Sequence, residues 1–282
     1  MEQPLETREL AHFLAVAEEL HFSRAAARLG IAQPALSKTI QRLERRLGVV
    51  LFERTSRAVT PTPAGQVLAR EARHSLDAVD AAARRTRRAG ADDPHLVLAM
   101  KAGGDAGLLP AILAACEYEP CSLPVRVIFQ TDRGRLLRDG RADAALLYSL
   151  ADDLSGLDTE PLLTEPLMAV LPATHPFAVR ASLCMADLRD ENVHPRRGPS
   201  TGPEARSLTE LLQLVALGQT VALVPRFVTT PLRHDLVSVQ VTDAQPVTLL
   251  LAWPAHSTSP AIAALARAAR AASPGGEPAR IT

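Results

Sequence analysis

The sequence predicts an α/β protein in three parts: a small all-α N-terminal domain, a long linker helix and a larger α/β C-terminal domain. Three observations carry this. Short helical periods broken by glycines fill residues 1–62. Residues 64–89 contain no proline and, apart from Gly65, no glycine. Beyond residue 90, apolar runs of strand length alternate with helical periods.

In the first part, Thr7 is expected to cap a helix in which Leu10, Phe13, Leu14, Ala17 and Leu20 recur at three- and four-residue steps. His21-Phe22 breaks that period. Ser23 is expected to cap a second helix, Arg24 to Leu29, whose Ala25, Ala26 and Ala27 let a neighbouring helix approach closely. Gly30 ends it, since glycine takes a left-handed conformation without steric cost. Ile31 to Pro34 reads as a turn, with Pro34 at the first position of a third helix. That helix carries Leu36, Ile40, Leu43 and Leu47 on one face and stops at Gly48. Two helices joined by a short Gly-containing turn are a helix-turn-helix signal. Two β-prone runs, Val49 to Arg54 and Ala58 to Thr60, flank the polar turn Thr55-Ser56-Arg57 and read as a hairpin wing beside it.

Thr62 and Pro63 open the linker helix, which would be roughly 40 Å long at about 1.5 Å per residue. Leu68, Ala72, Ser75, Val79, Ala82 and Thr86 form a weak heptad-like seam along it. This face either dimerises or docks on its own domain. Gly90 to Pro94 is a hinge. Strands are then predicted at Leu96–Met100, Val125–Phe129, Ala144–Tyr148, Leu167–Leu171, Val221–Val224, Val237–Val241 and Val247–Trp253. Helices are predicted at Leu108–Cys116, up to about Arg138, at Leu208–Leu217 and at Pro260–Ala272. This alternation implies mostly parallel pairing.

The 31 basic and 31 acidic residues cancel. Split at Gly90, the first part holds 15 and 10, and the rest holds 16 and 21. The zero is therefore +5 and −5, an asymmetry that points to nucleic acid or membrane contact by the first part. From Ser23 to Arg57 there are eight basic residues and two acids.

The 47% hydrophobic and 22% charged composition supports packed cores rather than disorder. No apolar run of about 18 residues exists to span a membrane. The opening Met1 to Glu6 has neither a basic nor an apolar leader region, so a cytoplasmic protein is expected. Cys116, Cys121 and Cys184 show no metal-ligand spacing and read as buried or incidental thiols. The eight histidines are scattered, and no His-x-x-x-His, Cys-x-x-Cys, Gly-x-Ser-x-Gly or Gly-x-Gly-x-x-Gly pattern occurs. No enzyme activity, metal or cofactor is expected.

Residues 13–54, FLAVAEELHFSRAAARLGIAQPALSKTIQRLERRLGVVLFER, continuing through TPTPAG at 60–65, resemble the LysR-type transcriptional regulators. LLP at 108–110, GRADAAL at 140–146, EPLMAVLP at 165–172 and VALVP at 221–225 extend the likeness over nearly the whole chain. The resemblance implies a winged helix-turn-helix domain over 1–62, a linker and dimerisation helix over 63–90, and a regulatory domain over 91–282. The last would have a type 2 periplasmic-binding-protein-like fold, with subdomain I at about 95–160 and 247–272 and subdomain II at about 161–246. It also implies a homodimer or homotetramer on double-stranded DNA, reading an interrupted inverted repeat under small-molecule control. Only Arg189 to Arg206 separate Leu188 from the helix near Ser207, where the family carries a longer β-α segment. Subdomain II is thus expected to be trimmed. The alternative is a DNA-binding regulator whose C-terminal domain is an oligomerisation or partner-binding scaffold without an effector.

In a helix-turn-helix the N-terminal turn of the second helix enters the major groove. By position this brings Gln33, Pro34, Ala35, Ser37 and Lys38 to the bases, with Gln41 and Arg42 one turn later. Gln pairs with adenine and Lys reaches guanine acceptors. Ser23 at a helix start suits a phosphate, and Arg54 and Arg57 on the wing suit phosphate or the minor groove. Arg45 and Arg46 read as a solvated basic face.

Only two of the 31 basic residues are lysines, Lys38 and Lys101. Lys101 follows the first strand of the C-terminal domain, where the family often has a small hydroxyl residue. It is either the counter-charge of an anionic effector or half of an internal ion pair with Asp105 or another acid. Thr131, Ser200 and Thr201 are weaker effector-binding candidates.

Overall fold

The computed structural model describes residues 5–54, 59–194, 205 and 207–274. Packing divides the chain into two compact units, Met1–Gly90 with Arg138–Arg141, and Ala91–Leu137 with Ala142–Thr282.

The first unit contains α1 (Thr7–Glu19), α2 (Phe22–Leu29), α3 (Gln33–Leu47), β1 (Phe52–Arg54), β2 (Val59–Pro61) and α4 (Pro63–Ala89). All the elements expected from the sequence are present, but three caps move by one or two residues. Glu6, not Thr7, is the N-cap of α1, and its N–H donates to Glu9 Oε2 at 3.2 Å. His21, not Ser23, caps α2. Its Nδ1 accepts from the Ser23 and Arg24 N–H groups at 3.1 and 3.4 Å. An imidazole nitrogen can do what an Asx oxygen does at this position, so Ser23 falls inside the first turn. Pro34 is the second residue of α3, because Gln33 is already helical and Ala32 is the cap.

Leu36, Ile40 and Leu43 line one face of α3 and are fully buried. They share a core with Phe13 of α1, Phe22 of α2 and Phe52 of β1. The Phe13 and Phe52 rings lie 5.1 Å apart, and Phe22 meets Phe52 edge-on at 6.1 Å. β1 and β2 pair antiparallel, Phe52 opposite Pro61 and Arg54 opposite Val59, as the wing requires.

Two polar contacts hold the base of the wing. Glu44 Oε1 on α3 accepts the Leu51 and Phe52 N–H groups at 2.9 and 3.3 Å. Thr62 caps α4 through the Gly65 N–H at 3.0 Å and donates to the Val50 carbonyl at 2.7 Å. Glycine at 65 has a steric cause: a Cβ there would run into the Leu51 carbonyl.

The linker seam divides. Leu68 and Ala72 pack on the core of their own domain, with Ala69 and Leu76 beside them. Ser75, Val79, Ala82 and Thr86 are exposed, Val79 by 50%. The first turns therefore dock locally, while the later half of the seam presents an uncovered face.

The second unit holds two five-stranded sheets. β3 (Leu96–Met100), β4 (Val125–Phe129), β5 (Ala144–Tyr148), β6 (Leu157–Glu165) and β12 (Val247–Pro254) form one, in the order β4-β3-β5-β12-β6. β7 (Leu167–Pro172), β8 (Ser182–Leu183), β9 (Val193–His194), β10 (Val221–Pro225) and β11 (Leu236–Val241) form the other, in the order β8-β11-β7-β10-β9. Helices α5 (Leu109–Glu117), α6 (Arg133–Arg138) and α8 (Pro260–Ala272) cover the first sheet, and α7 (Leu208–Ala216) covers the second.

The expectation of mostly parallel pairing is corrected. In each sheet two pairings are parallel and two antiparallel. The chain leaves the first sheet after β6, builds the second, and returns as β12 between β5 and β6 without a crossover helix. Helix alternation in the sequence reports only the local β-α-β units. β6 was not anticipated, because its pattern is half polar and it lies at a sheet edge.

Along β3, Leu96, Leu98 and Met100 pack under α5 and α8, whereas Val97 and Ala99 pack under α6. A strand buried on both faces reads as an unbroken apolar run. Asp143, in the GRADAAL run, accepts the Val97 N–H at 2.9 Å, so the motif is a backbone clasp on β3.

Removing the Phe52 ring should leave a cavity at the junction of α1, α2 and the wing. We expect Phe52→Ala to lose about 3–5 kcal/mol. Urea unfolding of the full chain checks it, and a loss below about 1 kcal/mol would mean that the ring is not what joins these elements.

Candidate functional site

Burial of Leu36, Ile40 and Leu43 fixes which face of α3 looks outward. At 3.6 residues per turn the opposite face carries Pro34, Ser37, Lys38, Gln41 and Arg45. Gln33, Pro34, Ala35, Lys38 and Gln41 are exposed, and Ser37 is half-buried. Ser23 is exposed in the first turn of α2. Lys38 makes no ion pair among the described residues, so its ammonium is available. Arg54 ends β1, and Arg57 lies outside the described residues.

The basic stretch is not uniformly free. Arg28 pairs with Glu18 at 2.8 Å, and Arg24 pairs with Glu19 at 3.4 Å. Glu9 of α1 is 2% exposed and carries two arginines of α3. Arg42 donates to Glu9 Oε1 from Nε at 3.2 Å and Nη2 at 3.0 Å, and Arg46 donates to Oε2. Arg46, expected on a solvated face, is thus a largely buried clamp, with its side chain 17% exposed. Arg42 has its guanidinium on Glu9, while the side chain as a whole remains open to solvent. Arg45 stays exposed as expected. The sequence hid the clamp because its partners lie 33 and 37 residues apart, beyond any local period.

Burial pushes the Glu9 carboxyl up, but hydrogen bonds from Arg46, the Glu6 N–H and Arg42 outweigh it and hold the pKa below the usual carboxylate value. A depressed folded pKa contributes stability above the unfolded value, and that contribution is lost as pH falls through the folded pKa. Glu9→Gln should therefore cost about 1–3 kcal/mol at pH 7. The gap from wild type should close below pH 4, as measured by urea unfolding across pH. A gap that persists unchanged at low pH would count against the clamp.

In the second unit, β3 and β5 are parallel, and their carboxyl ends deliver Lys101 and Tyr148 to one edge of the first sheet. β4 pairs parallel with β3 and brings Thr131 alongside, where Gln130 N–H donates to the Met100 carbonyl at 2.9 Å. β9 and β10 of the other sheet are also parallel, and their carboxyl ends deliver His194 and the segment that carries Phe227. The Tyr148 and Phe227 rings face each other with centroids 6.3 Å apart and planes inclined by 16°. Carboxyl ends from both sheets thus meet at one crevice, which is where open α/β sheets bind ligands.

The crevice is braced from below. Arg133 at the start of α6 is completely buried, and its Nη2 reaches both oxygens of Asp152 at 2.7 Å. Asp152 also accepts the Tyr148 N–H at 2.8 Å. The Tyr148 hydroxyl donates to the Gly104 carbonyl at 2.7 Å, and burial pushes its pKa up. Arg133 Nη1 donates to the Thr131 carbonyl at 3.3 Å. Across the crevice, Glu165 accepts the Phe227 N–H at 2.7 Å.

Lys101 makes no ion pair among the described residues, so the expected alternative of a bridge to Asp105 is not formed. Asp105 instead lies at the start of α5, where Oδ2 accepts the Leu109 N–H at 3.4 Å. Lys101 as a whole residue is exposed. Desolvation of its ammonium, and then the nearby Arg133, lower its pKa, with Asp152 opposing. The structure brings Lys101 and Thr131 together; Ser200 and Thr201, with the loop read as trimmed, lie outside the described residues. His194, Tyr148, Phe227 and the Arg133–Asp152 pair escaped the sequence reading. VALVP pointed to the strand before Phe227, but nothing marked the facing strand ends.

Asp152→Asn should destabilise the protein by about 3–5 kcal/mol, because it strands a buried guanidinium. Combining it with Arg133→Met should restore part of that loss in a urea titration. Equal losses in the single and double variants would deny the coupling.

Two family profiles cover the chain. "Bacterial regulatory helix-turn-helix protein, lysR family" matches residues 7–66. "LysR substrate binding domain" matches 89–202 and 192–274. The uncharacterized HTH-type transcriptional regulator YnfL of Escherichia coli is 31% identical over 278 residues, covering 89% of this chain and 93% of YnfL. The regulator BenM of Acinetobacter baylyi is 30% identical over 268 residues, covering 86% of this chain and 88% of BenM. Among solved structures, the oxidized form of Corynebacterium glutamicum OxyR is 27% identical with a TM-score of 0.51, covering 96% of this chain and 92% of that one. With the winged helix-turn-helix, the linker helix and the two-sheet domain in place, the chain belongs to the LysR family. It is a non-catalytic, oligomeric DNA-binding transcriptional regulator with a C-terminal domain of the effector-binding type.

Proposed function

We propose that this regulator acts in the cytoplasm as a dimer or dimer of dimers and reads an interrupted inverted-repeat operator with the outward face of α3. Its domains divide at 1–62, 63–90 and 91–282. Gln33, Ser37, Lys38 and Gln41 contact base edges. Pro34 and Ala35 pack on thymine methyls. Ser23, Arg42, Arg54 and Arg57 meet the phosphates. The supporting observation is that core burial leaves this face of α3 outward, with Lys38 exposed in its N-terminal half and in no ion pair among the described residues. The exposed second half of the α4 seam, Ser75, Val79, Ala82 and Thr86, supplies the face for a second copy.

The second domain senses a small anionic effector in the crevice between its sheets, with Lys101 as counter-charge and Thr131, Ser200 and Thr201 as neighbours. What supports this is a lysine with no ion pair among the described residues, beside a buried arginine whose charge Asp152 already neutralises. A second reading, a scaffold without effector, draws on the split of the family match near residues 192–202.

Lys38→Ala should weaken specific operator binding by about 1–3 kcal/mol and relax the base preference at one position. A salt-controlled gel-shift titration with unchanged affinity removes Lys38 from the contacts. Small carboxylates should raise the thermal midpoint of the wild type and not of Lys101→Ala. Equal shifts in both proteins count against Lys101 as the counter-charge, and none in either favours the scaffold.

A further inference from the structure

Helix α6 makes contacts of two different kinds at its two ends. At its first residue, the buried Arg133 holds both oxygens of Asp152 through Nη2 and the Thr131 carbonyl through Nη1. Just past its last residue, the turn Asp139-Gly140-Arg141 lies against α4. Arg84 Nε donates to the Asp139 carbonyl at 3.1 Å, and Arg88 Nη1 donates to the Gly140 carbonyl at 2.8 Å. Ala81, one turn earlier on α4, is buried against Gly140. Position 140 requires glycine twice over: φ is +73°, and a Cβ there would run into the Ala81 backbone. The packing division falls within this helix, with Arg138–Arg141 grouped with the first unit and the residues before them with the second.

The contact leaves the exposed seam of α4 untouched. Ala81, Arg84 and Arg88 each stand two positions beyond a seam residue, Val79, Ala82 or Thr86. Two residues turn an α-helix through about 200°, so the face that holds the turn and the seam lie on opposite sides of α4.

From this placement we propose that α6 couples the crevice to the linker helix. A change at the Arg133–Asp152 pair shifts α6, and the Asp139-Gly140 turn passes that shift to α4 on the side opposite its seam. The coupling holds whatever the crevice binds, so it stands apart from the anion reading above.

The build of α6 suits this role. Its six residues span about 9 Å, too short to bend between the two contacts. Leu136 and Leu137 are buried against β3 and β5, and the Ala142 N–H closes the helix on the Leu136 carbonyl at 2.9 Å. Asp139 stiffens the turn. Its Oδ1 accepts the Arg141 N–H at 3.0 Å, and its Oδ2 accepts Arg141 Nε at 2.8 Å. Helix and turn therefore move as one piece. Packed helices slide by about 1–2 Å in switching transitions, which is enough to break the two bonds from Arg84 and Arg88.

Hydrogen exchange of the full-length protein, read by mass spectrometry, tests the coupling. Asp152→Asn strands the Arg133 guanidinium and should displace α6. We expect residues 77–88 of α4 to exchange at least about fivefold faster in this variant, the lower end of coupling between sites. The comparison is made while α8, in the core of the second unit, is still protected. Residues 66–76 of α4, docked on their own domain, should keep the wild-type rate. Adding Arg133→Met removes the stranded charge and should return 77–88 toward that rate. Coupling is reciprocal. Gly140→Ala should thus speed exchange over residues 144–152, where the Tyr148 N–H rests on Asp152. Arg84→Met with Arg88→Met, which spares the backbone, should do the same if Gly140→Ala does not fold.

Wild-type exchange of 77–88 in Asp152→Asn overturns the proposal. Opening of 77–88 only together with α8 overturns it too, because the second unit has then unfolded rather than moved one helix. So does a double variant as fast as the single one, or turn variants that leave 144–152 unchanged.

Discussion

Burial of the stripe Leu36, Ile40 and Leu43 governs the DNA-binding half of the molecule. Once these three side chains are under Phe13, Phe22 and Phe52, α3 has no rotational freedom left. Everything that functions as readout is what remains on its other side. The polar contacts then fix the neighbours to the same helix: Glu9 holds α1 to Arg42 and Arg46, and Glu44 holds the wing through two backbone N–H groups. Hydrophobic burial sets the orientation, which is non-directional work. The two carboxylates set the register, because hydrogen bonds tolerate only small displacements.

This division alters the meaning of the basic charge. Between Ser23 and Arg57 the excess of base over acid is large, but Arg24, Arg28, Arg42 and Arg46 face acids of α1. Paired surface charges still add to the long-range field that steers DNA, yet each offers fewer donors at contact. Lys38 differs because it makes no ion pair among the described residues. A site for a phosphate or a base edge is in this sense what the internal pairing leaves over.

The regulatory half applies the same logic to a crevice. Arg133 and Asp152 neutralise each other below the surface and hold Tyr148 and Thr131 by the backbone. A buried pair of this kind is weak as a source of stability, but it gives its neighbours defined positions. The two aromatic rings connect the sheets, and the Tyr148 hydroxyl holds the turn that opens with Lys101 through the Gly104 carbonyl.

By itself the sequence determined the helices, the wing, most of the strands and the sign of each domain's charge. These depend on local period, on glycine and proline punctuation and on composition, all of which act over a few residues. It also placed Lys38 on the outer face of α3 and Lys101 at a strand end, because one apolar stripe or one strand boundary is enough to infer either. Only the tertiary structure decided which cations meet which acids. Glu9 meets Arg42 across 33 residues, and Arg133 meets Asp152 across 19. It also decided the antiparallel return of β12, since the chain had first to leave the sheet and build another. Electrostatic partnership depends on distance in space, and no local pattern of residue types encodes a distance that the fold alone creates.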